Sequence, residues 1–508
     1  MYDQNHLANR LRQASLSDGS KTFLDIPAEG RDLSFDDFFA HAEQIAAALV
    51  AAGLKPGDRV AVQAEKTPAM LELYVATVLA GGVFLPLNAA YMGEEVRYFL
   101  GDATPRIFVC DPTRLDELTP IATEAGTAQI FTLGAGDTGT LIAARDAEKP
   151  GFKAVPRAED DLAAILYTSG TTGRSKGAML THRALASNSE TLRDYWGFTS
   201  DDVLIHALPI FHTHGLFVAT NITLMAGARA LFHAGFKAEA ILADMPRATA
   251  LMGVPTFYVR LLDQPGLAAA SRNMRLFVSG SAPLLAETHV QWREITGHAI
   301  LERYGMTETN MNTSNPLSGD RRAGTVGFPL PGIEVKICDP DSGKALPDGE
   351  IGVLEVRGPN VFKGYWKMPE KTAEELRENG FFITGDLAKI DDDGYVHIVG
   401  RSKDLVITGG YNVYPKEIEI LIDDLPGVNE SAVIGVPHPD FGEAVVAVVV
   451  PQNPGAIDGD AVKAALGGTV AKFKQPKAVL ITDELPRNTM GKVQKNVLRD
   501  QNAALFKP

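Results

Sequence analysis

Apolar and polar positions alternate along the first third of the chain in two distinct periods. Phe35 to Ala52 has helical spacing, Arg59-Val-Ala-Val-Gln63 reads as a strand, and Pro68 to Ala80 is helical again. Phe84-Leu-Pro-Leu87 and Ile107-Phe-Val109 continue the series, so residues 33 to 150 predict an α/β layered fold with a largely parallel sheet. Residues 134 to 158, rich in Gly, Ala and Asp, read as a surface connection. The apolar run Leu162 to Leu166 predicts a buried strand and Ala178 to Thr181 a second, shorter one, with further strands near Val203, Ala250 and Leu276.

After Gly324 the character changes. Glu334-Val-Lys-Ile-Cys338, Gly352-Val-Leu-Glu-Val-Arg357 and Tyr395-Val-His-Ile-Val399 are short strands divided by Asp, Gly and Pro, as in a small β-barrel or antiparallel sheet. Asp391-Asp-Asp-Gly394 lies between two of them and lacks the alternate-position spacing and distal glutamate of a calcium loop, so a hairpin turn is expected. Residues 401 to 508 form a further α+β unit with strands at Ala432–Val436 and Ala444–Val450. The expected organisation is a large N-terminal domain, 1–400, of layered α/β sheets plus a small β-barrel, and a smaller, mobile α+β C-terminal domain, 401–508.

At 508 residues, two or more domains are expected. The formal charge of −15 argues against a nucleic-acid partner and means that any anionic ligand is held by local cations against the overall field. Two cysteines, Cys110 and Cys338, are too few for a disulfide framework or a cysteine zinc site. With no signal-like apolar segment and no apolar run of ~20 residues, neither a membrane span nor secretion is expected, and the chain reads as cytoplasmic.

The densest candidate chemistry is Tyr167-Thr-Ser-Gly-Thr-Thr-Gly-Arg-Ser-Lys-Gly177. Glycines admit a ligand close to the backbone, hydroxyls and amides donate, and Arg174 and Lys176 supply charge, as in a loop closing over a polyphosphate. No G-x-x-x-x-G-K-[ST] string fits, so it is not a Walker loop. Downstream come Pro209-Ile-Phe-His-Thr-His-Gly215, Glu302-Arg-Tyr-Gly-Met-Thr-Glu308, Thr384-Gly-Asp386, Gly400-Arg-Ser-Lys-Asp404 and Pro486-Arg-Asn-Thr-Met-Gly-Lys492. In this order, over two thirds of the chain, they resemble the adenylate-forming superfamily of acyl-CoA synthetases, adenylation domains and luciferases. Residues 1 to 150 fit that family by pattern only.

The resemblance implies two half-reactions: a carboxylic acid and ATP give an acyl-adenylate and pyrophosphate, then the thiol of coenzyme A displaces AMP. Lys492 is the candidate for bridging carboxylate and α-phosphate, a compact point charge on a long stem, or else an exposed tail lysine. Glu308 would hold Mg²⁺ together with Thr168; Thr168 and Thr307 would donate to the phosphates, with Ser169, Gly170, Thr171, Thr172, Gly173 and Lys176 lining them. Asp386 would accept the ribose hydroxyls, assisted by Arg401. Tyr304 offers a face for adenine, or is plain core; Gly280, Ser281 and Ala282 form a wall beside it, and Glu302, Arg303, Gly305 and Met306 complete the nucleotide stretch. Lys403 falls at the family's hinge, rotation about which would bring Gly409, Gly410 and Tyr411 toward the thioester chemistry.

The acid is read from Gly253-Val-Pro-Thr-Phe-Tyr-Val-Arg260, where Pro255 starts a helix and Arg260 lies near the face of Phe257. An arginine in an acyl pocket is answered by a second carboxylate; outside one it is a snorkelling surface residue. Ser281, Met306 and His214 are further candidates for contact with the acid; His212 and His214 are equally readable as structural. The stretches Tyr304–Ser314 and Arg322–Pro331 resemble malonyl-CoA synthetases, which implies malonate, with methylmalonate a close competitor. Alternatives are another short- or medium-chain acid, an adenylation domain that charges a carrier protein, and a non-catalytic nucleotide-binding protein. A protein lysine acetyltransferase acting on Lys492 is an expected regulatory partner.

Overall fold

The computed structural model describes residues 2–168, 175–340, 342–408, 411–467, 469–488 and 491–506. Internal contacts divide the chain into two compact units, 1–334 with 356–382, and 335–355 with 383–508. The expected boundary at Gly400–Arg401 thus falls inside the second unit. It is a mixed α/β protein with a large N-terminal and a smaller C-terminal domain.

Two sheets build the first unit among the described residues. One is nine-stranded, and its central strands Thr22–Ile26, Arg229–Phe232, Val203–His206, Ala250–Gly253, Leu276–Ser279 and Leu301–Met306 run parallel. The other is six-stranded: Gln129–Thr132, Ile107–Cys110, Arg59–Gln63, Val83–Pro86 and Leu162–Thr168 are parallel, and Lys176–Thr181 closes the edge antiparallel. The helix Pro68–Leu79 is buried at every position, which explains why its apolar pattern has no polar face; Thr67 caps its start by accepting from the Met70 N–H at 3.4 Å. Ser34 does the same for Phe35–Ala51, accepting from Asp37 N–H at 3.1 Å.

The 134–158 connection departs from expectation, because it contains the helix Thr140–Asp146. Gly139, at φ 113, turns the chain into it, and Thr132 and Thr140 exchange hydrogen bonds with each other's backbone N–H at 2.8 and 2.9 Å. One short helix among glycines is below the reach of periodicity.

The second unit holds most of the four-stranded sheet Glu334–Cys338, Gly352–Arg357, Phe382–Ile390 and Val396–Arg401. Its last pair is antiparallel and joined by the turn at Asp391, whose Oδ1 accepts from the N–H of Asp393 and Tyr395. The long hairpin Val428–His438 and Gly442–Pro451 anchors the C-terminal sheet, with apolar residues on both faces. Among the described residues no helix is long and apolar enough to cross a membrane.

Candidate functional site

In the first unit, the strand Leu162–Thr168 ends at half-buried Thr168, which lies in register with Lys176 on the neighbouring strand. Ser169, Gly170, Thr171, Thr172, Gly173 and Arg174 lie outside the described residues. Lys176 donates to Glu375 at 3.1 and 3.2 Å and sits 4.1 Å over the Tyr365 ring. The Tyr365 hydroxyl lies 2.5 Å from Glu375 Oε2 and 3.0 Å from Glu308 Oε1, so one proton serves two carboxylates. Burial, then the charge of Glu308, drives the Tyr365 phenol far above its usual range, so it stays a donor. Burial opposes the ionisation of Glu375, but Tyr365, Lys371 and Lys176 together hold it below the usual carboxylate range. A cation, a phenol and two carboxylates therefore form one network around Glu308, itself 5% exposed.

The strand Leu301–Met306 carries the Glu302–Thr307 motif, bulged between Tyr304 and Gly305. At Gly305 a Cβ would meet Asn310 O at 1.9 Å, so only glycine permits the close crossing to the next strand. Strand alternation separates the motif's side chains. Tyr304 is half-buried with its hydroxyl 3.8 Å from Met306 Sδ, and Thr307 is half-buried as well. Buried Glu302 pairs with His289 at 3.4 Å and accepts from Gly324 N–H at 3.4 Å.

Arg303 is 4% exposed, and its guanidinium lies on the backbone of Gly280: a Cβ there would meet Arg303 Cζ at 2.4 Å. Burial pushes this guanidinium down to about 9. Ser281 holds a left-handed conformation at φ 72, unusual for a residue with a Cβ, and its Oγ lies 3.3 Å from Nδ1 of fully buried His214. His214 opens a π-helical turn, His214–Thr220. Burial, with the Arg303 charge second, holds His214 well below the usual histidine range and His212 at about 4, so both imidazoles are neutral at pH 7. Ala282 is half-buried. Arg260 is exposed near the end of the helix Pro255–Leu262, whose buried face is Phe257, Tyr258 and Leu261. Among the described residues its guanidinium makes no ion pair.

In the second unit, Asp386 and Arg401 are register partners, and Arg401 Nε meets Asp386 Oδ1 at 2.5 Å. Asp386 N–H donates to Thr384 Oγ1 at 3.0 Å, fixing the strand that presents the carboxylate. The Lys492 N–H donates to Asn488 Oδ1 at 3.0 Å within a tight turn, and Gly491 takes φ 75 to close it. Burial, then Arg401, pushes the Lys492 ammonium down, while Asp386 and Asp404 pull it back. Lys403, in the short 3₁₀ turn Ser402–Asp404, is pushed down to about 8, first by desolvation of its packed side. Gly409 and Gly410 lie outside the described residues; Tyr411 is 59% exposed and stacks on Phe473 with ring centroids 4.7 Å apart.

The structure thus brings together Gly280, Ser281, His214 and Arg303, places Thr168 in register with Lys176, and joins Asp386 to Arg401. Tyr365 and Glu375 were missed, since a tyrosine after a glycine and a glutamate in a short helix carry no signal of their own.

The family profile described as AMP-binding enzyme matches residues 11–366, and that of the AMP-binding enzyme C-terminal domain matches 417–492. The ATP-bound crystal structure of MatB from Rhodopseudomonas palustris superposes with a TM-score of 0.97 at 59% identity, covering 99% of this chain and 100% of that one. The feruloyl-CoA synthase of an Amycolatopsis species is 38% identical over 92% of this chain and 94% of its own. The malonate–CoA ligase of Arabidopsis thaliana is 35% identical over 88% and 78%.

Neutral His212 makes stability depend on pH. Its folded value of about 4 lies below the ordinary 6.5, so between them the unfolded chain binds more protons. The stabilisation is complete above pH 6.5 and lost as pH falls toward 4. Denaturant titrations should show about 1 kcal/mol lost from this residue between pH 7 and 5.5, and His212→Gln should flatten the slope by that amount. An unchanged slope would refute the assignment.

Proposed function

We propose that this chain, which belongs to the AMP-binding enzymes and is an acyl-CoA ligase of the adenylate-forming family, joins malonate to coenzyme A. As an AMP-forming acid–thiol ligase it uses ATP to activate its acid and passes the acyl group to the thiol of CoA. Relatives named for ferulate and for malonate are about equally similar. The observation that favours malonate is the buried polar lining behind Gly280 and Ser281. Arg303 and His214 stand there, and an aromatic acid would leave that charge unanswered.

Activation requires two anions to meet, and Lys492 is the residue proposed to bridge them. Asp386, held by Arg401, offers two oxygens to a ribose diol, and Tyr304 a flat face to adenine. The oxygens of Glu308 and Thr168 suit Mg²⁺, a hard cation that takes one or two carboxylates plus phosphate oxygens. When bound it would neutralise charge on the phosphates. Tyr365, with its proton shared between Glu308 and Glu375, fixes the Glu308 carboxylate in place. Rotation about Lys403 would exchange Lys492 for the 408–412 loop between half-reactions, with residues 401–508 as the moving domain.

The deciding experiment is AMP release with CoA across acetate, malonate, methylmalonate, succinate, octanoate and ferulate. Malonate should give the highest kcat/KM; ferulate or octanoate in that place would overturn the assignment.

Lys492→Ala should nearly abolish adenylate formation, by ~10²–10³ as for loss of one transition-state contact, yet spare thioester formation from supplied malonyl-AMP. Equal damage to both halves would sink this division of labour. Acetylation of Lys492 by a lysine acetyltransferase should have the same effect; mass spectrometry showing a fully acetylated, fully active enzyme would count against it. Lys403→Pro should show the opposite pattern, adenylation retained and thioesterification lost, since proline fixes φ at the hinge. Normal CoA ligation by that variant would place the hinge elsewhere.

A further inference from the structure

We propose that Glu375 is an internal stand-in for phosphate: it holds the Lys176 ammonium on its carboxylate and yields it to the triphosphate of ATP. The inference rests on the reading that Lys176 lines the phosphates, and it names the residue that competes with them.

Lys176 is placed for such an exchange. It opens the strand Lys176–Thr181 directly opposite Thr168, and register partners on antiparallel strands project to one face. The lysine therefore shares a face with the hydroxyl proposed for the phosphates, and the two residues flank positions 169–175. Its side chain is 21% exposed, so a ligand can reach Nζ without displacing the core. It lies 3.1 and 3.2 Å from the two oxygens of Glu375, the way a point charge also meets a phosphate.

Glu375 has more donors than one ion pair needs. Lys371 Nζ lies 2.9 Å from Oε1, and the Tyr365 hydroxyl 2.5 Å from Oε2. Glu375 is also the last residue of the helix Pro369–Glu375, where a carboxylate stands against the helix dipole and cations have to hold it. With two ammonium groups and a phenol around it, Glu375 can lose one ammonium and keep two partners. When Lys176 leaves, no bare carboxylate is left beside the incoming phosphates.

Tyr365 fixes both ends of the exchange. Its segment pairs with the lysine's own strand: Met179 N–H donates to Gly364 O at 3.0 Å, and Trp366 N–H to Gly177 O at 2.8 Å. Tyr365 N–H donates to Thr372 Oγ1 at 2.9 Å, which ties the ring to the helix that carries Glu375. The Lys176 ammonium sits 4.1 Å over that ring, a face that stabilises the cation whichever anion it meets. A permanent brace between Lys176 and Glu375 would use the same contacts, but the two roles differ in sign. Removing a brace weakens nucleotide binding; removing a competitor strengthens it.

The test is the Kd for ATP with Mg²⁺, without acid or CoA, measured by titration calorimetry. Glu375→Gln keeps the shape and the oxygen facing Tyr365 and removes the competing charge, so ATP should bind about fivefold tighter. A damaged site does not bind tighter. Glu375→Asp, whose carboxylate is drawn back by one methylene, should show a smaller gain, and it carries the test should the Gln variant not fold. Lys176→Ala should weaken ATP at least ~10-fold, and in the double variant the gain from Glu375→Gln should vanish. Glu374→Gln removes a charge from the same helix, where Glu374 pairs with Lys371, and should leave Kd within about twofold. Unchanged or weaker binding in the Glu375 variants would make the pair a brace and overturn the inference. So would the same gain in the double variant or in Glu374→Gln, which would show a general loss of negative charge. If Lys176→Ala binds ATP as the wild type does, the reading of Lys176 as a phosphate ligand fails, and the inference with it.

Discussion

Repulsion between anions sets the terms for everything this protein does. Its formal charge is −15, yet the chemistry of its family gathers a carboxylate, a triphosphate and the phosphates of coenzyme A. Long-range attraction cannot help, so each positive charge has to be placed at close range. Two of the cations placed among the site residues are held on a carboxylate leash. Lys176 rests on Glu375 and Arg401 on Asp386. Such pairs keep long side chains in position and preserve their charge, at the cost of a partner that a ligand must share. Arg303 differs from these, held by shape against Gly280 rather than by charge.

The layered fold was legible because its strands are short, apolar and separated by helices of regular period. Arg59–Gln63 begins and ends where the pattern predicts, and the strand pair Leu162–Thr168 and Lys176–Thr181 brackets the candidate loop as expected. What escaped is local. The helix Thr140–Asp146 spans seven residues, too few for a periodic signal, and is set by a glycine and two threonines. The grouping of 335–355 and 383–400 with the C-terminal residues escaped for another reason: it depends on contacts between distant segments, which no local pattern encodes.

The site divides in the same way. Motif strings in fixed order pointed to Lys492, Glu308, Asp386 and Arg401 because their spacing is carried by the chain itself. The roles of neighbours in one string were harder to separate. Glu302 and Arg303 are adjacent, and alternation along Leu301–Met306 sends them to opposite faces, one to His289 and the other to Gly280. Reading the whole string as nucleotide-binding hid that difference. The sequence offered Arg260 as the acyl-side cation because it lies on the short helix that a recognisable start at Pro255 opens, near the face of Phe257. It gave no sign that Arg303 is the arginine from which water is excluded, a property of tertiary packing alone.

Exclusion of water is what turns a charge into a filter. An exposed arginine is solvated with or without a ligand, so swapping a dicarboxylate for a neutral-tailed acid costs it little. A buried guanidinium with an unanswered edge has already lost its water, and a ligand that fails to replace those hydrogen bonds leaves that loss uncompensated, at ~1–3 kcal/mol for each group. Selectivity then comes as much from the penalty on wrong acids as from attraction to the right one. The same reasoning explains why the neighbours His212 and His214 are held neutral. A protonated imidazole beside Arg303 would add a second buried cation and repel the first. Neutral histidine supplies direction without charge.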